Sequence, residues 1–231
     1  AFLATCRAAH SLNSVHLQAD WLLQRYSRVK ALYRAAKPPS GSEALMLELM
    51  DGRGVNALSE LEDCPDLVFQ VSQARWAEAL HRLLEIGMDP DGYGSQFTPL
   101  MAAAAHGHVH VVALLLQAGA DPGHSDFFGW TALHMAAMWG HTHPRVHGHV
   151  VRLLVQAGAP VNEQDCEGET ALHYACRRKR IYAVKELLQR DNDCTSLLNN
   201  EGETAGAAAS KKGHHEVVAL LEQYDLDLPI A

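Results

Sequence analysis

The sequence predicts an all-α fold, a solenoid of helix-turn-helix units joined by short β-hairpin loops, and two observations predict it. The first is a threonine-led segment that recurs at steps of 33, 39 and 34 residues, beginning at Thr98, Thr131, Thr170 and Thr204. The second is an apolar segment with helical spacing after each copy, for example at 111–116. A unit of this length is one helix pair, which buries its apolar side only by stacking on its neighbours.

The composition fits this class and excludes several others. The 231 residues carry a formal net charge of -8 and are 48% hydrophobic, so we expect a globular chain and not a general nucleic-acid binder. The longest apolar runs are about ten residues, too short for a membrane-spanning helix. Five cysteines without paired spacing favour reduced thiols in a cytoplasmic or nuclear protein.

Because the chain begins with Ala1, we expect a fragment or a processed form, with a removed targeting peptide as one alternative.

The threonines and glycines mark the ends of the first helix in each unit. A threonine side-chain oxygen accepts unpaired amides of the first turn, and Pro99 fits a position where a missing N–H is harmless. Gly107, Gly140 and Gly213 end this helix, because glycine adopts a left-handed backbone without a steric cost. Small side chains let the first helix approach its partner closely, at Ala103, Ala104, Ala136 and Ala137.

The second helix and the loop after it complete the unit. Val and Leu recur at positions i, i+1, i+3 and i+4 of the second helix, a stripe that one unit cannot cover alone. Polar residues with a glycine precede the next threonine, at 126–129, 165–168 and 200–202. Such residues make the tight turn of a hairpin that points away from the helices.

The shared register extends over the segments TPLMAAAAHGH (98–108), TALHMAAMWGH (131–141), TALHYAC (170–176) and TAGAAASKKGH (204–214). It resembles the ankyrin repeat, whose motif TPLHxAAxxGHxxVVxxLLxxGAD covers about 33 residues. The resemblance implies five repeats, which we number one to five: 66–97, 98–130, 131–169, 170–203, and a C-terminal capping repeat with its tail at 204–231. Repeat one is worn, with Asp66 in the threonine position. A degenerate sixth unit is predicted at 30–65, where Pro38 and Pro39 interrupt the pattern.

Repeat three is longer than its neighbours, and the extra residues are rich in histidine. Aligning Gly140 and Gly148 with Gly107 places an insertion at 142–147, where we expect a loop. Four imidazoles in and around it could hold a zinc ion, namely those of His141, His143, His147 and His149.

The alternative to a zinc site is structural or solvent-exposed histidine. The resemblance implies that five histidines hydrogen-bond a hairpin or cap a helix, namely His108, His134, His141, His173 and His214. No cysteine or carboxylate completes a known zinc spacing around the insertion. We therefore expect no metal and no other cofactor.

The sequence contains no catalytic motif. It has no GxSxG, no phosphate-cradling glycine loop, no HExxH and no paired carboxylates outside turns. Cys176 falls at a small core position of its first helix, which favours a buried, inert thiol over a nucleophile. We predict that the protein is not an enzyme.

The resemblance implies a protein-binding module or scaffold that grips its partner with a concave groove and the hairpin tips. Trp and Tyr are enriched among the hot spots of protein interfaces. Exposed aromatic residues are expected at or near the hairpin tips, namely Tyr93, Phe97, Phe127, Phe128 and Trp130. The groove positions before the glycine turns are Met138, Trp139, Arg177, Arg178, Lys211 and Lys212. The predicted partner is a protein with an acidic and an aromatic or apolar segment, rather than a nucleic acid or a membrane.

Two alternatives stay open at these positions. Phe128 or Trp130 could pack against the neighbouring hairpin instead of a partner. The basic run Arg177 to Arg180 is either a receptor for an acidic motif or a solvated basic face.

The segment 1–29 lies outside the repeats and contains two amphipathic stretches, at 3–12 and 19–26. We expect it to cap the open end of the solenoid. It also faintly resembles the later helices of an F-box, without the opening Leu-Pro helix. That resemblance would make the chain the substrate-recognition subunit of a ubiquitin ligase, and inhibition of an enzyme is a third possibility for a stack of ankyrin repeats.

Overall fold

A computed structural model of the chain describes residues 31, 35, 42–51, 66–92, 96–139, 143–189 and 192–226. These residues contain eleven α-helices, and the β-structure within them is one isolated antiparallel bridge between Ser125 and Thr131. The predicted all-α class is therefore confirmed. The chain divides into two compact units, residues 1–95 and 96–231, which we describe separately.

The first unit contains three helices, α1 (Glu43–Asp51), α2 (Leu67–Gln73) and α3 (Ala77–Glu85). α2 and α3 pack as the helix pair of repeat one, and α1 packs against α3. The Glu43 carboxylate accepts the backbone amides of Glu78 and Ala79 at 3.1 and 3.3 Å, so it caps the first turn of α3. Asp66 precedes α2, as the worn threonine position predicts, but its side chain makes no capping bond.

The second unit contains four helix pairs, one in each of repeats two to five. The pairs are α4 (Pro99–His106) with α5 (Val109–Gln117), α6 (Ala132–Trp139) with α7 (Pro144–Gln156), α8 (Ala171–Arg177) with α9 (Ile181–Leu188), and α10 (Ala205–Lys211) with α11 (His215–Leu226). A 3-10 helix, Asn192–Thr195, follows α9. The first helices form one layer, in which α6 packs between α4 and α8, and α8 between α6 and α10. The second helices form the other layer in the same order.

The first helices begin where the threonine pattern predicts. The hydroxyl oxygens of Thr98 and Thr204 each accept an amide three residues later at 3.2 Å. The small residues behind these caps are fully buried, as expected for closely packed helices, at Ala103, Ala104, Ala136 and Ala137. Each buried Leu or Val of the second helices stabilises the stack by roughly 1.5–3 kcal/mol.

The turn after the first helix requires a left-handed backbone. Gly107 and Gly213 have φ of 70° and 73° at this turn, and Gly140 lies outside the described residues. In repeat four the same turn is made by Lys179, with φ of 55°. A non-glycine residue in this conformation costs about 1 kcal/mol, so the basic run of repeat four is strained locally.

The expectation of a loop at 142–147 is wrong for residues 144–147. Helix α7 begins at Pro144, because proline fits the first helical position. His147 lies in this helix three residues before Val150, as His214 lies three residues before Val217. His147, rather than His149, is therefore the equivalent of His214, and the extra residues precede it.

Several predictions fall on residues that the structure does not describe. These are the N-terminal cap or F-box resemblance at 1–29, most of the degenerate unit at 30–65, Tyr93 and His141. Within the ranges given above, none of the helices is both long and apolar enough to pass through a lipid bilayer.

Candidate protein-binding groove

Three hairpins in the second unit share one turn geometry. In each, the first side chain of the turn accepts two amides of its own loop. One carboxylate oxygen of Asp126 accepts the amides of Phe128 and Trp130, both at 2.9 Å. Asp165 accepts those of Glu167 and Glu169 in the same way, and Asn199 those of Glu201 and Glu203. This local capping, which Asp and Asn favour, fixes the two residues at each tip.

The three tips are joined into a row by backbone hydrogen bonds. The Cys166 amide donates to the Phe128 carbonyl at 2.8 Å, and the Asn200 amide donates to the Glu167 carbonyl at 3.0 Å. Gly129 allows the first of these contacts, because a Cβ there would lie 2.8 Å from the Asp165 Cα. The tips therefore form a fixed array rather than independent loops.

Two buried histidines tie each repeat to the base of the next hairpin. The Nδ1 of His134 accepts the Thr131 amide at 3.1 Å, which leaves Nε2 protonated to donate to the Glu169 carbonyl at 3.1 Å. His173 makes the equivalent bonds, to the Thr170 amide and the Glu203 carbonyl. Burial lowers the pKa of His134, which favours this neutral form.

A second pair of histidines links the second helices to the preceding first helices. The Nε2 of His214 lies 3.1 Å from the Arg177 carbonyl, and that of His147 lies 3.2 Å from the Ala105 carbonyl. His134, His173 and His214 thus have the structural role that the sequence predicts. His147 joins them in place of a zinc ligand, because both of its ring nitrogens face carbonyl oxygens.

The zinc hypothesis gains no support from the remaining histidines of the insertion. His143 precedes α7 and is exposed, and His149 is exposed on α7 itself. In the described part of the chain, no three His, Cys, Asp or Glu side chains are grouped closely enough to hold a metal ion.

A buried polar network lies beneath the hairpin before repeat four. The Tyr174 hydroxyl donates to Asp165 at 2.6 Å, and burial together with this carboxylate raises the pKa of Tyr174. Glu169 is only 2% exposed, and its carboxylate accepts the Asn199 side-chain amide at 2.9 Å as well as the Arg177 guanidinium. The Arg177 charge is therefore compensated by a buried carboxylate, and its role in steering a partner stays a prediction.

The predicted tip residue Trp130 also has a structural role. It is half-buried, and its ring centroid lies 4.8 Å from that of Tyr174 and 6.3 Å from that of His134. Trp130 therefore packs within the protein, as one of the two alternatives predicts, although on helix α8 rather than on the neighbouring hairpin. The side chains of Phe127 and Phe128 are 81% and 64% exposed.

The other predicted contact residues differ in exposure. Trp139 is 48% exposed at the end of α6, whereas Met138 and Phe97 are half-buried. Lys211 is exposed but its Nζ lies 2.8 Å from Glu203 and 3.7 Å from Glu201, so its charge is shared with the hairpin. Arg178 and Lys212 are exposed, and neither makes an ion pair among the described residues.

A cavity of about 200 Å³ joins the hairpin side of repeat five to the end of its first helix. It is lined by Arg177, Glu201, Glu203, Ala208, Lys211 and Lys212. Sequence reasoning identified the basic members and missed the acidic ones. Glu201 lies three residues before a repeat threonine, as Phe128 does, so the register itself could have identified it.

Cys176 shows no sign of a reactive thiol. Cys176 is buried, and burial raises the pKa of its thiol to about 12, with Cys194 nearby as a smaller cause. A thiol with so high a pKa is protonated at neutral pH and unreactive. This agrees with the prediction of an inert core residue.

Comparisons with known proteins show the same repeat along the chain. The family model of ankyrin repeats, in three copies, matches residues 32–126, 68–165, 119–197 and 145–230. Protein phosphatase 1 regulatory subunit 12A of Mus musculus and that of Rattus norvegicus are each 54% identical over 43 residues, which is 19% of this chain and 4% of theirs. Glycerophosphocholine phosphodiesterase gde1 of Schizosaccharomyces pombe is 35% identical over 68 residues, 29% of this chain and 6% of that protein. Such repeats are generally non-enzymatic protein–protein interaction modules. Because their family model covers most of the sequence, this chain belongs to the ankyrin-repeat family.

Proposed function

We propose that the protein is a scaffold that binds a partner protein across repeats two to five. The partner's apolar segment contacts Phe127, Phe128 and Trp139, and an acidic segment lies towards Arg178 and Lys212. The observation that carries this proposal is the pair of phenylalanines, 81% and 64% exposed at the tip of a fixed turn.

Two adjacent exposed Phe rings are costly on a surface that nothing covers. Burying a Phe side chain is worth roughly 1.5–3 kcal/mol, and aromatic anchors are common among interface hot spots. The Asp126 turn fixes the backbone that carries both rings, so a partner loses little of its binding energy in ordering that backbone. Trp139 extends the apolar surface along α6, whose eight residues rise about 12 Å.

Arg178 and Lys212 contribute to this proposal mainly through association rate and salt dependence. Exposed charges add little net affinity, but they steer an acidic partner towards the groove. Arg177 and Lys211 contribute less than the sequence predicts, because Glu169 and Glu203 already bind them.

The test is a pair of variants measured against the partner that a pull-down with the intact chain identifies. We expect Phe127→Ala with Trp139→Ala to weaken binding at least about 30-fold, from about 2 kcal/mol at one hot spot and a smaller loss at the other. The matched control is Tyr182→Ala, which removes a 40% exposed aromatic residue from the second helix α9.

Circular dichroism and thermal melting would establish that all variants keep the fold. Unaltered affinity in the double variant would show that the partner uses another face of the protein. An equal loss in Tyr182→Ala would show that the groove has no special role.

A further inference from the structure

Two rows of exposed side chains follow repeats three to five at matching positions. The hairpin row, three residues before each repeat threonine, consists of Phe128, Glu167 and Glu201, each counted here with the repeat that its hairpin precedes. The helix-end row, eight residues after each threonine, consists of Trp139, Arg178 and Lys212. Each row thus begins with an aromatic residue in repeat three. In repeats four and five the hairpin row consists of acidic residues and the helix-end row of basic residues.

The two rows face one groove. In repeat five, Glu201 and Lys212 line the same cavity of about 200 Å³. The equivalent residues of repeat four, Glu167 and Arg178, stand one step along the stack, because α8 packs directly against α10. The groove is therefore polarised across its width, negative on the hairpin side and positive on the helix-end side.

The charged residues between the two rows do not cancel this polarity. Arg177 is neutralised by Glu169, and Lys211 is shared between Glu203 and Glu201. One lysine between two carboxylates leaves a net negative charge on the hairpin side of repeat five. In repeat four, neither of the facing side chains, Glu167 and Arg178, makes an ion pair within the described residues.

The width of the groove suits an α-helix. The two rows are separated by first helices of seven or eight residues, a rise of about 11–12 Å. An α-helix with its side chains is about 10–12 Å in diameter and reaches both rows at once.

The spacing along the groove suits the same helix. Neighbouring first helices pack about 8–10 Å apart, so the members of each row repeat at about that distance. Seven residues of an α-helix rise about 10.5 Å and return to nearly the same face. A helical partner therefore meets successive members of one row at positions i, i+7 and i+14.

We propose that the partner segment is an amphipathic α-helix with two oppositely charged flanks, lying along the groove of repeats three to five. An apolar residue at position i lies between Phe128 and Trp139. Acidic residues at i+7 and i+14 face Arg178 and Lys212, and basic residues on the opposite flank face Glu167 and Glu201. This inference rests on the proposed function, since it specifies the partner of the same groove.

The test uses two labelled helical peptides of identical composition. The matched peptide carries Trp at i, Glu at i+7 and i+14, and Lys on the opposite flank, and the exchanged peptide has the Glu and Lys stripes swapped. We expect the intact chain to bind the matched peptide at least about tenfold more tightly in fluorescence anisotropy at low salt. Equal affinities would overturn the proposal.

A charge exchange in the protein tests the same geometry from the other side. The double variant Glu167→Lys with Arg178→Glu reverses repeat four without changing net charge, and we expect it to reduce or invert the preference between the peptides. The matched control is Lys185→Glu with Glu222→Lys, the same exchange at exposed positions of the second helices, which should keep the preference. A preference unchanged in the groove variant would contradict the inference.

Two further outcomes separate this inference from the proposed function. If proline substitutions that abolish the peptide's helix leave its affinity unchanged, the occupant is extended and the helical assignment is wrong. If neither peptide is discriminated but the natural partner still depends on Phe127 and Trp139, the inference fails and the proposed function stands. If neither peptide is discriminated and the natural partner also binds the Phe127→Ala, Trp139→Ala variant as tightly as the unmodified protein, both the inference and the proposed function are wrong.

Discussion

The hairpin before repeat three and the hairpin before repeat four share a backbone but not a surface. In both, an aspartate accepts two amides of its own turn at 2.9 Å, and a glycine with a positive φ closes the turn. The tips differ, since one presents two phenylalanines and the other Cys166 and Glu167. Asp and Gly therefore determine the backbone, which leaves the tip residues to determine what the surface binds.

The two hairpins differ in how deeply their aspartates are built into the protein. Asp126 is half-buried, and its side chain accepts the two amides of its own turn. Asp165 is 6% exposed and also accepts the Tyr174 hydroxyl at 2.6 Å. The aspartate of the second hairpin is thus part of the core of repeat four, whereas that of the first hairpin bonds, among the described residues, only within its own turn.

The largest effect that we expect separates these two aspartates. Asp165→Ala leaves a buried hydroxyl and two amides without their acceptor, so we expect a loss of about 3 kcal/mol of unfolding free energy. Asp126→Ala removes two bonds in a region that water can reach, so we expect about 1 kcal/mol. Urea unfolding of both variants measures the difference. Equal losses would show that the two hairpins are equally coupled to the core.

The glycines of the turns test the row that joins the hairpins. Gly129→Ala places a Cβ 2.8 Å from the Asp165 Cα, in addition to the strain of a φ of 79°. Gly202→Ala, at a φ of 74°, meets no atom within 4 Å and carries the backbone strain alone. We expect a cost of about 2 kcal/mol at Gly129 and about 1 kcal/mol at Gly202.

Thermal melting of these two variants provides the measurement. The hairpin contact would be the cause if Gly129→Ala also perturbs the neighbouring hairpin, seen as faster hydrogen exchange of the Cys166 amide. If both variants melt at the same temperature, the contact between the hairpins does not contribute to stability.

Features that depend on local chemistry could be predicted from the sequence. Threonine caps, turn glycines and the exposure of Phe127 and Phe128 follow from side chains that act within a few residues of their own position. The equivalence of His147 to His214 could also have been predicted, because each lies three residues before a valine of the second helix. Aligning the insertion by its glycines pointed to His149 instead.

Features that depend on distant partners could not be predicted in this way. Trp130 is half-buried because Tyr174, in the next repeat, provides a ring to pack against. Arg177 is compensated because Glu169 is buried beside it. In both cases the residue type indicates a surface site, and only the stacking of the repeats reveals the internal partner.

The smallest effect concerns His134, which contacts both hairpins. Its ring lies near Trp130 of the first, and its Nε2 donates to Glu169 at the base of the second. Burial lowers its folded-state pKa below the ordinary value of 6.5, so the unfolded chain takes up a proton more readily. The stabilisation from neutral His134 is therefore complete above pH 6.5 and is lost progressively as the pH falls below it. One such group changes stability by at most about 1.4 kcal/mol per pH unit.

This pH dependence can be measured by urea unfolding at pH 7.5 and at pH 5.5. We expect His134→Gln to be less stable at the higher pH, because the Thr131 amide and the Glu169 carbonyl lose a well-fitted partner, and to lose less stability on acidification than the unmodified protein. His215→Gln, at an exposed position of α11, serves as the control and should keep the full decrease. A decrease that is the same in all three proteins would assign the acid sensitivity to other groups and would remove His134 as a pH-dependent link between the two hairpins.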